Sequence, residues 1–279
     1  MKPPPFAYAR AGSVAEALEL LADAGEDAKL LAGGQSLIPL LAYRLARPSH
    51  LVDIGRIPGL SDVATGPDGL RVQALVTHAA LQSRADLTGP WRAVRECAGL
   101  IGHYPVRTRG TFGGSISHGD PSAELPVVAL ALEAEFVLRS PGGERLVRAE
   151  DFFAGPFMTV LEPTEMLVQA RFPAAGAGRL SAFEEFSTRA GDFASAATAV
   201  ALTPDETGRV HQVRIALGGV GPVPARAAEA EAALEGAPLD EAAIAAAARA
   251  AAADCRAGED GALIPVLVER ALRRIREER

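Results

Sequence analysis

Cysteine is close to absent from this chain. Cys97 and Cys255 are its only two. They stand far apart and form no C-x-x-C pair, too few thiolates for an iron–sulfur cluster or a structural zinc. The five histidines, His50, His78, His103, His118 and His211, show no H-x-H or H-x-x-x-H spacing from which a metal site could be argued. Lysine is as scarce. Lys2 and Lys29 are the two lysines among 28 basic residues, which face 35 acidic ones for a net charge of −7. Arginines gather only at Arg270, Arg273, Arg274 and Arg276, directly before Glu277 and Glu278. That is the pattern of a solvated helix face rather than of a nucleic-acid surface. No apolar run reaches the ~20 residues that cross a bilayer, and Met1-Lys2-Pro3-Pro4-Pro5 is unlike a secretory leader. A soluble, cytoplasmic protein is expected, with no nucleic-acid partner and no membrane insertion. A dinucleotide fingerprint G-x-G-x-x-G between strand and helix is also missing: Gly219-Val220-Gly221 comes closest, but Pro222 and Pro224 follow where a helix would start. Neither lysine follows a glycine loop as a phosphate-binding P-loop requires.

What is present is an ordinary globular balance, 48% apolar and 23% charged over 279 residues, enough for one large domain or two smaller ones. Residues 6–9, 28–31 and 51–54 read as strands. Between them, Ser13-Val14-Ala15-Glu16 has capping-box spacing for a helix ending near Gly25, and residues 36–45 read as a second helix with Pro39 tolerated early. Two short strands within residues 60–74 flank Gly66-Pro67-Asp68-Gly69, which is turn chemistry. Thr77 starts a short helix, residues 90–101 form a longer one, and residues 121–132 another; 134–138 and 165–172 read as strands. Pro173-Ala174-Ala175-Gly176-Ala177-Gly178 has the composition of a linker. Beyond it, residues 182–188, 194–202 and 212–217 read as three strands, and 226–234, 240–253 and 263–277 as helices. The expected division is 1–175 and 176–279.

Two short strings stand out. Ala32-Gly33-Gly34-Gln35-Ser36 follows an apolar strand, and Thr111-Phe112-Gly113-Gly114-Ser115 lies within the segment from Arg107 to Pro121, rich in small and polar residues, which reads as a long functional loop. Either string alone is compatible with a plain turn. Together they suggest more. Adjacent glycines let a ligand approach the backbone, successive N–H groups hold phosphate oxygens, and a flanking hydroxyl adds a donor. Two such loops point to a pyrophosphate gripped from both sides, hence a dinucleotide.

The stretch Lys29-Leu30-Leu31-Ala32-Gly33-Gly34-Gln35-Ser36-Leu37-Ile38-Pro39-Leu40 and the segment from Ile101 through Ser115 resemble the two FAD loops of the medium, flavin-carrying subunit of molybdenum hydroxylases. That family includes aerobic carbon monoxide dehydrogenases and multi-subunit relatives of xanthine dehydrogenase. The resemblance extends over Ala46 to Ile54, Arg189 to Ala194 and Ala216 to Val220. It implies an α+β fold: a two-lobed, PCMH-type FAD-binding domain, then a C-terminal domain with a three-stranded antiparallel sheet and a helical bundle. It also implies that Lys29, Leu30, Leu31, Ala32, Gly33, Gly34, Gln35 and Ser36 hold FAD from one side. Thr111, Gly113, Gly114 and Ser115 would hold it from the other. Ile101 would lie against the flavin ring, Leu167 would offer a backbone contact to the adenine end, and Phe193 would cover the flavin from the second domain. Molybdopterin and 2Fe–2S clusters would reside on a large and a small partner subunit, in a dimer of heterotrimers that passes electrons to an external acceptor. A stand-alone flavin oxidase of related fold is the alternative.

Three departures accompany the resemblance. Gln35 stands where carbon monoxide dehydrogenases commonly have His. Glu124, also an expected FAD contact, stands where others have Asp. Glu184 and Glu185 lie in a strand where some relatives place a Lys near the flavin, so the redox poise is expected to differ.

Overall fold

The computed structural model describes residues 2–255 and 259–278. In chain order its first elements are β1 (Ala7–Arg10), α1 (Val14–Ala24), β2 (Ala28–Leu31), α2 (Leu37–Ala42) and β3 (His50–Asp53). Then come β4 (Val63–Gly66), β5 (Gly69–Gln73), α3 (His78–Gln82), α4 (Arg92–Leu100), α5 (Tyr104–Arg107), α6 (Phe112–His118) and α7 (Glu124–Ala131). β6 (Glu135–Ser140), β7 (Gly143–Arg148), α8 (Ala149–Phe152), β8 (Phe153–Gly155), β9 (Met158–Thr159) and β10 (Met166–Phe172) follow. The remainder is β11 (Leu180–Phe186), β12 (Ala196–Pro204), β13 (Val210–Gly218), β14 (Ala225–Arg226), α9 (Ala228–Leu234), α10 (Glu241–Asp254) and α11 (Ile264–Glu277). None of the described helices is long and apolar enough to cross a membrane.

The first lobe is a parallel sheet of order β1-β3-β2, with α1 and α2 as its crossovers. Ser13 caps α1 by accepting the Glu16 N–H at 3.1 Å. The reciprocal bond of the expected capping box is not made; Glu16 reaches one residue further back and takes the Gly12 N–H at 2.7 Å. α2 is shorter than expected: Arg44 turns to φ 60°, and the Leu45 N–H closes onto the Leu40 carbonyl at 2.9 Å.

The second lobe is an antiparallel sheet of order β4-β5-β10-β6-β7. All eight residues of α7 are buried. A helix apolar on every side needs cover on every side, and α7 has it, packed among α4, α6 and α8 and against β12, β13 and β14 of the next sheet. That next sheet, β11-β12-β13-β14, contains the three expected strands, and the two-residue β14 adds a fourth at the edge. Along β12 the alternation separates two jobs. Ala197, Ala199 and Ala201 face α4 and α7 in the core of the second lobe, whereas Ala196, Val200 and Leu202 face α9, α10 and α11. Small side chains on one face let the buried helices approach closely.

The expected long loop from Arg107 to Pro121 is not one. Residues 112–118 are helical, with Phe112, Gly113 and Ile116 buried. Glycine makes this possible, since a Cβ at Gly113 would lie 2.6 Å from the Ala74 Cβ. Small residues, read as unable to build a core, here let a helix sit directly on the chain beyond β5. β7, α8 and the β8–β9 hairpin have no counterpart in the sequence reading.

The C-terminal part also completes the second lobe. The Ser181 hydroxyl of β11 accepts the Ala93 N–H of α4 at 3.0 Å and donates to the Gly89 carbonyl at 3.2 Å. Glu96 of α4 accepts the Phe183 N–H at 3.1 Å and pairs with both Arg92 and Arg274.

Candidate functional site

The first glycine string is where β2 leaves its sheet. The Leu31 carbonyl still accepts the Ile54 N–H at 3.0 Å, and then the chain turns. Gly34 takes φ 73°, a left-handed conformation that suits glycine. Gly33 is held against the second string so closely that a Cβ on it would sit 2.1 Å from the Arg109 carbonyl oxygen. The Gln35 side chain folds back to donate to the Gly33 carbonyl at 3.1 Å, and the exposed Ser36 hydroxyl caps nothing. Among the described residues, the backbone N–H groups of Gly33, Gly34, Gln35 and Ser36 find no acceptor. Four successive unspent donors on a turn leading into a helix form a concavity suited to phosphate oxygens.

The second string is built differently. Phe112 donates to the Val76 carbonyl and Gly113 to that of Ala74, each at 2.8 Å; Gly114 donates to the Thr111 hydroxyl at 3.1 Å and Ser115 to the Thr111 carbonyl at 3.0 Å. The N–H groups of residues 112–115 are therefore spent within the chain, so the two strings differ in what their backbone leaves free. The string offers hydroxyls instead: Thr111, whose proton is uncommitted while its oxygen caps α6, and Ser115. Gly114 comes close to the first string, with a Cβ position 4.0 Å from that of Ala32.

The remaining expected residues are spread around this junction. Lys29 is exposed, while Leu30 and Leu31 are half-buried at the end of β2. Leu167 is buried in β10 beside a register shift, leaving only its backbone for a ligand. The next carbonyl, that of Val168, accepts the Ala74 N–H beneath Gly113. Ile101 ends α4 half-buried, and its carbonyl accepts from Arg107. Phe193 is 68% exposed in the β11–β12 loop. That loop reaches the segment after Ile101, since a Cβ at Gly191 would lie 2.5 Å from His103 Nδ1. Glu124 opens α7 and is only 4% exposed; burial, with Glu185 and Asp120 nearby, pushes its carboxyl up to about 8.

Two residues missed in the sequence belong to the same region. His78 is buried under Gly110, where a Cβ would lie 2.7 Å from its ring, and its Nδ1 has no partner. Burial first, and the Arg107 charge second, lower its pKa to about 4, so it stays neutral. Asp53 anchors the end of β3: it accepts from the Tyr8 hydroxyl, from Arg10 and from the Gly55 N–H, one strand away from Ala32. Neither showed a motif. Their importance comes from what folding places beside them.

Residues 4–175 match the FAD binding domain in molybdopterin dehydrogenase, and residues 181–262 the CO dehydrogenase flavoprotein C-terminal domain. The chain is 43% identical over 231 residues to the 6-hydroxypseudooxynicotine dehydrogenase complex subunit alpha of Paenarthrobacter nicotinovorans, covering 83% of this chain and 78% of that one. It is 41% identical to the carbon monoxide dehydrogenase medium chain of Hydrogenophaga pseudoflava, covering 81% and 78%. Among solved structures, a chain of the Hydrogenophaga pseudoflava carbon monoxide dehydrogenase lacking the Mo-pyranopterin moiety superposes with TM-score 0.92 at 42% identity, over 98% of each chain. A chain of quinoline 2-oxidoreductase from Pseudomonas putida 86 does so with TM-score 0.91 at 34% identity, over 100% of this chain and 99% of that one. With a PCMH-type FAD-binding fold followed by the flavoprotein C-terminal fold, this chain belongs to the FAD-binding subunits of the molybdopterin dehydrogenase family.

Proposed function

We propose that the chain is the FAD-binding, electron-transfer subunit of a molybdenum-containing hydroxylase or dehydrogenase complex. The observation that carries this reading is the run of unspent N–H groups from Gly33 to Ser36, closed on one side by the backbone at Arg109. It fits one half of a pyrophosphate, and the Thr111 and Ser115 hydroxyls fit as donors to the other. In this reading Lys29 to Leu31 lead into the cradle, Leu167 offers its backbone, Ile101 and Phe193 flank the flavin ring, and Glu124 faces the cofactor from α7. The boundary between an FAD domain, 1–175, and a C-terminal domain, 176–279, falls in the segment after β10. The chemistry supplied by bound FAD is electron transfer between a 2Fe–2S cluster on a small partner subunit and an external acceptor, with molybdopterin on a large partner subunit handling the substrate.

The protein's own work is to hold the ring, shield it and set its potential. Relatives that are subunits of dehydrogenase complexes support the need for partners. So do the side chains beyond the first string, where Tyr43 and Leu45 are 69% and 76% exposed. A dimer of heterotrimers in the cytoplasm is the assembly we infer. The purified chain should bind one FAD, which acid precipitation releases into the supernatant as FAD rather than FMN. Co-expressed with its neighbouring subunits, it should co-elute with molybdenum and iron. Failure to bind FAD, or substrate turnover by the metal-free chain alone, would overturn the reading.

A further inference from the structure

The turn from α4 to α5 carries Ile101 and touches the loop that carries Phe193, the two side chains read as flanking the flavin. Ile101 ends α4, Gly102 takes φ 53°, and His103 leads into α5. Gly191, two residues before Phe193 in the β11–β12 loop, has φ 86°. A Cβ on it would lie 2.5 Å from His103 Nδ1 and 3.1 Å from the Gly102 carbonyl carbon, so only glycine lets the loop come this near. The loop is also bonded to itself. The Ser195 N–H donates to the Phe186 carbonyl at 2.8 Å, and the Arg189 carbonyl accepts the Asp192 N–H at 3.0 Å and the Ser187 hydroxyl at 3.1 Å. A loop closed in this way passes a displacement of the turn on to Phe193.

One side chain holds the turn. Arg107 Nη1 donates to the Gly102 carbonyl at 2.6 Å and to the Ile101 carbonyl at 3.3 Å, while its Nε donates to Gln82 Oε1 at 3.1 Å. The N–H groups of Val106 and Arg107 both close onto the His103 carbonyl, at 2.8 and 3.1 Å, which folds Arg107 back over the turn. Gln82 ends α3 and lies against α4, where a Cβ at Gly99 would be 3.2 Å from Gln82 Nε2. Among the described residues the half-buried Arg107 pairs with no carboxylate, so its donors go to an amide and two backbone carbonyls. Bonds from a charged donor are stronger than neutral ones, and the planar fork of a guanidinium fixes their direction.

We propose that Arg107 is a positioning residue for the flavin ring: it fixes the carbonyls of Ile101 and Gly102 and so sets the turn that places Ile101 and, through Gly191, Phe193. This rests on the reading of Ile101 and Phe193 as residues that flank the ring. The pyrophosphate is the business of the first string, whose free N–H groups Arg107 does not touch. Loss of Arg107 therefore acts on the surroundings of the ring more than on affinity.

The test compares the full chain with bound FAD in wild type and Arg107→Met, reading the fluorescence yield of the flavin, its quenching by iodide, and the FAD dissociation constant. In Arg107→Met the turn populates open states, so the yield should rise roughly twofold or more and iodide should quench more strongly. The dissociation constant should change less than about fivefold. Lower stability with unchanged yield and quenching would mark Arg107 as merely structural and overturn the proposal. Should Arg107→Met not fold, Arg107→Lys decides: it keeps the charge without the fork, and a wild-type yield in it overturns the proposal equally. Gly191→Ala should also raise the yield, and combining it with the Arg107 variant should add little; additive effects reject the route through Gly191. Should wild type bind no FAD, the flavin reading itself fails, and the hold on the turn is judged in the FAD-free chain by hydrogen exchange. Exchange should then quicken in Arg107→Met over residues 101–104 and 187–193 together, and an unchanged second segment rejects the coupling.

Discussion

The two glycine strings have nearly the same composition and do opposite things with their backbone. In the first, Gly34 is left-handed and the N–H groups of residues 33–36 find no acceptor among the described residues. In the second, the N–H groups of residues 112–115 are all consumed by Val76, Ala74 and Thr111, and Gly113 serves close packing. A pair of glycines is therefore not one signal but two. It permits either a turn that frees donors for a ligand or a close approach that buries a helix. Which occurs depends on whether a neighbouring strand end offers carbonyls, as the chain from Ala74 to Val76 does.

Substitutions can break or sharpen this contrast. The largest effect is expected at Gly33, where Gly33→Val must push the Arg109 backbone away. FAD affinity should fall by a factor of about 100 or more, roughly 3 kcal/mol. Affinity within a few-fold of wild type would remove the first string from the site. Next is Gly113→Ala, whose Cβ meets the chain at Ala74. Overpacking of this kind costs about 1–3 kcal/mol, and it should appear as a lower melting temperature of the FAD-free chain. A loss of FAD affinity without loss of stability would mean the second string acts as a cradle after all.

The hydroxyls separate the strings further. Thr111→Ala removes the cap of α6 and should lower stability by about 1 kcal/mol. Ser36→Ala, which disrupts no side-chain bond among the described residues, should leave the FAD-free chain unchanged and weaken FAD by about 1 kcal/mol. Equal effects of the two on FAD-free stability would contradict the assignment. Phe193→Ala should raise the fluorescence of bound FAD with less than about a threefold change in affinity; an unchanged yield would place the ring away from the flavin. The smallest effect concerns His78. Its pKa is lowered in the fold to about 4, so the unfolded chain binds the proton more readily, and stability is lost as pH falls from about 6.5 toward 4. His78→Leu should flatten that acid limb of the melting temperature, and an unaltered limb would show that His78 titrates normally.

Much of the fold was legible because local physics wrote it. The 28–31 strand, the turn at 66–69 and the helices capped by Ser13, Thr77 and Asp240 rest on alternation, turn residues and side-chain caps, all short-range. The candidate site was legible as strings. What each string does was not, because a backbone donor's fate depends on acceptors elsewhere: residue 112 donates to residue 76, and residue 113 to residue 74. β7 and the β8–β9 hairpin escaped notice because β7 is mostly exposed and carries charge, giving no apolar signature.

The sequence by itself determined the family, the order of most elements and the two strings, since those properties reside in residue types at fixed spacing. Only the tertiary structure decided that Gly33 abuts Arg109, that Ser181 caps a helix of the preceding lobe, and that the Glu124 carboxyl is buried with the Glu185 charge nearby. Burial and proximity belong to the packed chain. A carboxyl's proton is governed by how much water and which charges surround it, and neither is written at the residue's own position.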